Sequence, residues 1–152
     1  MNISYQAANN RKKISRTNLL TTRQEVHHDD GLDAEQLYAR GYEAWQKKDY
    51  VAALTDFTWL TQHYPGERRF HLAMAGALQM QGEYLKALTC YDHAQALDIC
   101  DPAPLCEMAV CLQALGRKAD AREVLQTVIE ISYVDPAYTT IREKANRLLA
   151  KI

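Results

Sequence analysis

Tyr38, Tyr42 and Trp45 stand four and three residues apart, a spacing that on a helix sends all three rings out of the same side. Rings arranged this way do their chemistry by burying apolar surface. The core side of the same helix is supplied by Leu37, Gly41 and Ala44, which leaves the rings to face a groove. Groups capable of other chemistry do not converge. His63, His71 and His93 fall at loop ends or on different helices, and neither a Ser/His/Asp order nor a Gly-rich phosphate loop is present, so no catalytic residues are assigned. His27, His28, Asp29 and Asp30 are metal-capable, but adjacent residues do not close on one ion and no partner ligands stand at helical spacing, so no metal or cofactor is expected. The cysteines, Cys90, Cys100, Cys106 and Cys111, include no Cys-x-x-Cys pair. Cys106 and Cys111 lie about 140° apart round a helix. Four inert, buried or half-buried thiols in a reducing compartment are expected.

The elements that carry these side chains repeat every 34 residues. Gly41, Ala75 and Ala109 form one track, Ala53, Ala87 and Ala121 a second, and Phe57, Tyr91 and Leu125 a third. Leu60, Ala94 and Val128 follow, as do the pairs Gly82 with Gly116 and Asp101-Pro102 with Asp135-Pro136. Each unit holds two apolar runs parted by a polar break, at Lys47-Lys48-Asp49, Gln81-Gly82-Glu83 and Gly116-Arg117-Lys118, which reads as two antiparallel helices. Small residues belong where helices cross closely; anything larger than a methyl at the first track pushes the two helices apart. Small, small, large at this spacing resembles the tetratricopeptide repeat.

The expected fold is all-α, a right-handed α-solenoid of three such pairs (34–67, 68–101, 102–135) with a C-terminal capping helix over 137–152. The spacing predicts helices at 34–47, 50–63, 68–81, 84–97, 103–115, 118–132 and 137–151. Asp33 with Gln36 makes a capping box for the first. Tyr138, Ile141, Ala145, Leu148 and Leu149 form the stripe that closes the stack. The first helix of each pair lines a concave face: Glu35, Tyr38, Tyr42, Trp45 and Gln46, then Arg69, Leu72, Gly76, Gln79 and Met80, then Ala103, Cys106, Val110, Gln113 and Ala114. Gly76 and Ala114 leave hollows that suit the apolar side chains of an extended peptide. Each anchor burying about 100 Å² at about 25 cal/mol/Å² contributes roughly 2.5 kcal/mol before ordering costs, so several together can hold such a peptide.

With 152 residues and 47% hydrophobic content the chain can bury a useful core. It contains no apolar run of transmembrane length and no secretory leader pattern, so a cytosolic protein without membrane insertion is expected. Residues 1–24 carry Arg11, Lys12, Lys13, Arg16 and Arg23 and no acid, while the remainder holds 13 basic and 19 acidic residues, a balance of −6. The segment 1–33 reads as a flexible basic arm, with Leu19-Leu20 and Val26 suited to a short helix docking on a second copy. Nucleic acid is not expected, because no Arg/aromatic interleaving accompanies the charge. A Lys/Asn/Arg clamp for a C-terminal carboxylate is also missing, its positions being Tyr38, Tyr42, Ala73, Ala103 and Glu107.

Leu37-Tyr38-Ala39 with Tyr42 and Trp45, Asp49-Tyr50 with Ala53 and Phe57, Ala75-Gly76-Ala77 with Gln79, the segment from Gly82 to Ala87, then Tyr91, Ala94, Asp98, Asp101-Pro102, Ala109, Cys111-Leu112 and Gly116 resemble the class II chaperones of bacterial type III secretion systems. The family's Arg and Pro-Phe-His run is replaced here by Ala103-Pro104-Leu105-Cys106-Glu107. The resemblance implies that an extended segment of secreted hydrophobic translocator proteins lies in the concave groove in the bacterial cytoplasm. Its pockets would be Tyr38, Tyr42, Trp45, Tyr50, Leu72, Gly76 and Tyr91, with Gln79 on the same face, and the arm would serve a homodimer. The alternative is a tetratricopeptide scaffold or regulator of the secretion apparatus, including transcriptional co-regulation; the fold alone does not choose.

Overall fold

The computed structural model describes residues 31–152. The expectations placed on the arm (its flexibility, the Leu19-Leu20 and Val26 helix, a homodimer through it) and on His27-His28-Asp29-Asp30 lie outside the described residues. Among the described residues there are seven α-helices and no strand: α1 Ala34–Gln46, α2 Tyr50–His63, α3 Arg68–Met80, α4 Tyr84–Leu97, α5 Ala103–Ala114, α6 Lys118–Ser132 and α7 Thr139–Lys151. Leu37–Ile152 make one compact unit. At the start of α1, the Gln36 backbone N–H donates to Asp33 Oδ1 at 2.9 Å and the Asp33 N–H donates to Gln36 Oε1 at 2.9 Å, a reciprocal capping box.

The turn inside each pair is the same device three times. The Asp49 N–H donates to the Ala44 carbonyl, Glu83 to Leu78 and Arg117 to Leu112, each at 2.9 Å. This closure needs one residue in the left-handed region just before it: Gly82 at φ 77°, Gly116 at φ 78° and, in the first unit, Lys48 at φ 62°. A side chain there strains against the following carbonyl. Lys48→Gly is therefore expected to stabilise the fold by about 0.5 kcal/mol, since relief of the strain exceeds the added freedom of the unfolded chain. The check is a urea titration whose midpoint rises at unchanged slope.

The repeating tracks are the core. Ala53, Ala75, Ala87, Ala121, Phe57, Leu60, Ala94 and Val128 are 0% exposed, Ala109 and Leu125 1%, and Tyr91 5%. At Gly41 the steric limit is tighter than the one-methyl allowance read from the sequence. A Cβ built there would lie 2.5 Å from Cε1 of Phe57, because this buried ring packs directly against α1 at that point. Not every register position is apolar. Arg40 grips the buried Asp56 through two bonds, Nε to Oδ2 at 2.8 Å and a terminal nitrogen to Oδ1 at 2.7 Å. Met74 and Cys90 hold these places in the second unit, and Met108 and Val124 in the third.

Within the second pair, Arg68 pairs with Asp101 and donates to the Ala94 carbonyl at 3.3 Å, tying the start of α3 to the end of α4. Asp101 and Asp135, one repeat apart, cap the next segment alike, accepting from Ala103 N–H at 2.9 Å and Ala137 N–H at 2.8 Å. After Asp135 the chain makes a 3₁₀ turn over Pro136–Tyr138, so the last helix starts at Thr139, later than the sequence pattern suggests. Ile141, Leu148, Leu149 and Ile152 pack against the cluster of Cys106, Ala109, Leu125, Val128 and Ala145. Tyr138 stays in the 3₁₀ turn outside this cluster. No described helix is long and apolar enough to cross a membrane.

Candidate functional site

The rings of α1, with Tyr50 at the start of α2, form a connected series. Tyr38 and Tyr42 meet edge to face at 4.9 Å, Tyr42 and Trp45 at 6.5 Å, and Trp45 and Tyr50 at 6.3 Å. Below them lies a sealed floor. Phe57 (0% exposed) sits 5.6 Å from Tyr42 and Phe70 (1% exposed) 5.3 Å from Tyr38. Tyr42 is 39% exposed, and Tyr38, Trp45 and Tyr50 are half-buried. The rings thus have one side packed and one side open, as they must if they are to trade water for a ligand. The Arg69 guanidinium lies 5.1 Å from the Tyr38 ring centre, adding a cation to the face.

One repeat on from Tyr38, Tyr42 and Trp45 are Leu72, Gly76 and Gln79 on α3. Large rings in one unit stand beside smaller side chains in the next. A Cβ at Gly76 would meet nothing within 4 Å, so the hollow read from the sequence is open space. Leu72 and Gln79 are half-buried beside it.

Tyr91 is placed differently from the open rings. It is 5% exposed, and its hydroxyl donates to Gln79 Oε1 at 2.7 Å. Burial, and next the charge of Glu107, push its phenol well above the ordinary range, so it remains a donor. Its large ring fills the space that the small-residue tracks leave between helices, so it enters the site as the support of Gln79. Gln79 Nε2 in turn donates to Glu107 Oε2 at 3.5 Å, and Glu107 is paired with Lys144 of α7. Glu107 is therefore a paired charge and not an open one.

The third unit also departs from its expectation. Cys106, placed on the concave face by register, is 2% exposed, because α7 packs over α5 and sets Ala145 in the same cluster. Burial raises the thiols of Cys90 and Cys106, and takes that of Cys111, with Glu107 adding to it, up to about 11. These three stay protonated at neutral pH. Cys100 is exposed, contrary to the sequence reading, because it falls in the loop after α4 at the register position of Gly66 and Val134. Among the described residues no three His, Cys, Asp or Glu side chains gather as a metal site would require.

The sequence reading kept the histidines apart, whereas the fold brings two together. His71 and His93 meet edge to face at 5.5 Å across α3 and α4. A signal existed: His71 occupies the register position of Leu37 and Leu105, a polar group where the other units are apolar.

No family model matches the sequence, and no curated protein matches it. Solved structures do. The Yersinia enterocolitica type III secretion chaperone SycD in complex with a peptide of the translocator YopD is 26% identical, with a TM-score of 0.72, over 77% of this chain and 89% of that one. PcrH of Pseudomonas aeruginosa with the chaperone-binding region of PopD is 26% identical, with a TM-score of 0.72, over 77% of this chain and 88% of that one. PcrH with the corresponding region of PopB is 27% identical, with a TM-score of 0.70, over 78% of this chain and 98% of that one. Over most of its length, therefore, this chain is similar in fold and sequence to the tetratricopeptide-type translocator chaperones of type III secretion.

Proposed function

We propose that this protein is a chaperone for hydrophobic type III secretion translocators, holding an extended segment of each against the face built by α1 and α3 and acting by binding rather than by catalysis. The observation that carries this reading is the half-exposed ring series Tyr38, Tyr42, Trp45 and Tyr50 beside the open space at Gly76, on a chain similar to proteins whose structures contain translocator peptides. Leu72 and Gln79 extend that surface, with Gln79 oriented by Tyr91. Apolar side chains of the client seat on the rings and in the hollow, and their removal from water supplies the affinity. The client is held in the bacterial cytoplasm before export.

The test is isothermal calorimetry with N-terminal segments of the translocators encoded beside its gene. Gly76→Arg fills the hollow with a charged side chain where no atom lies in the way, so helicity should be unchanged while affinity falls by about tenfold or more. Full affinity in the folded variant would remove the client from this face. Client binding without any contribution from it would favour the scaffold reading.

A further inference from the structure

A second concavity lies on another side of the stack. It encloses about 610 Å³ between α2 and α4, over α3, and is lined by Leu54 and Thr61, by His71, Met74 and Leu78, and by Lys86, Thr89, Cys90 and His93, with Gln62 and Pro65 at its edge. On α3, residues 71, 74 and 78 face about 130° round the helix from 72, 76 and 79, at 100° per residue. The two sites therefore share a helix and not a surface. The size is that of a ligand site and the floor is apolar.

Among the described residues its charge is one-sided: Lys86 and two imidazoles line it and no carboxylate does. His71 is fixed by donating from Nε2 to the Pro65 carbonyl at 2.7 Å, and among the described residues the ion-pair neighbour of Lys86 is Glu83, loose and exposed at 3.9 Å. The space is not a general product of the repeat. One unit on, His71 becomes Leu105 and Cys90 becomes Val124, and both of these pack against the core of the third unit. Lys86 and Thr89 become Asp120 and Glu123, so the sign of the rim inverts as well. The junction of the first two units thus combines an unfilled apolar floor with a positive rim.

We infer that the α2–α4 groove is a second protein-binding site, which takes a segment carrying an Asp or Glu flanked by apolar side chains. The apolar flanks lie on Leu54, Met74 and Leu78, and the carboxylate meets Lys86, with His93 beside it. Charge complementarity selects such a segment over a basic or a purely apolar one. That the occupant is a protein segment rests on the holdase reading above; the site itself does not.

The probe is a random peptide library displayed on phage and panned against the full-length protein. Selected consensus peptides are then synthesised and measured by calorimetry on the wild type, on Thr89→Trp and on Lys86→Glu. Both substitutions are at exposed positions, and circular dichroism verifies the fold. The expected result is a class of acidic-apolar peptides whose affinity falls about tenfold or more in each variant, while the translocator segments bind Thr89→Trp as they bind the wild type. Peptides without acidic residues, affinities indifferent to both variants, or no selected class at all would overturn the proposal. Loss of translocator binding in Thr89→Trp would overturn it too, by making the groove part of the first site. Failure of the translocator segments to bind any form leaves the peptide result standing and counts against the holdase reading alone.

Discussion

Ala87→Glu is expected to leave no folded protein at 25 °C. Ala87 is 0% exposed on α4 and packs with Ala75, Leu78, Cys90, Tyr91 and Cys111. Growth of a side chain in such a place costs about 1–3 kcal/mol through displaced neighbours. An unpaired carboxylate in the same apolar surroundings costs several more, against a total stability of about 5–15 kcal/mol for a domain of this kind. Far-UV circular dichroism and recovery in the soluble fraction report the outcome. Leu85→Glu, two residues away and 65% exposed, is the matched control and should change stability by no more than about 0.5 kcal/mol. A soluble Ala87→Glu variant with wild-type helicity would show that the second and third units do not pack through this position.

The second large effect is on binding. Truncating both Tyr42 and Trp45 to alanine is expected to lower affinity for a translocator segment by about a hundredfold or more, since aromatic anchors commonly cost about 2 kcal/mol each when removed. Helicity should be retained, because the sealed rings beneath, Phe57 and Phe70, stay in place. Some loss of stability follows from the contact of Tyr42 with Phe57 at 5.6 Å. Calorimetry and thermal melts separate the two quantities. Unchanged affinity would refute the ring face as the client site, and loss of helicity together with binding would mark these rings as core.

The helices were legible because their cause is local and periodic. Bounds of α2, α4 and α6 coincide with those read from the 34-residue pattern, since each begins at a polar break and ends ahead of Pro65, Pro102 or Pro136. The ring face was legible for a related reason. Tyr38, Tyr42 and Trp45 share one helix, and helical spacing alone decides on which side they emerge. What escaped the pattern lies between elements. Tyr91 follows the same track as Phe57, yet its use depends on Gln79 arriving from α3 at 2.7 Å.

Cys106 shows the same limit from the other direction. Register places it on the open face with Val110 and Gln113, and it would stay there if the stack continued. Instead α7 turns back over α5, and its Lys144 and Ala145 cover this stretch. A stripe such as Ile141, Ala145, Leu148 and Leu149 announces that a helix must bury one side, but not which neighbour receives it.

The sequence by itself determined a stack of helix pairs, its register and the side from which the rings project, because sterics within one repeat and 3.6-residue periodicity are properties of the local chain. Only the tertiary structure decided which rings stay open, that Glu107 is met by Lys144, and that His71, Lys86 and His93 surround an unfilled space. Those outcomes depend on which side chain from a different helix fills each gap, and that is settled only when the whole stack has packed.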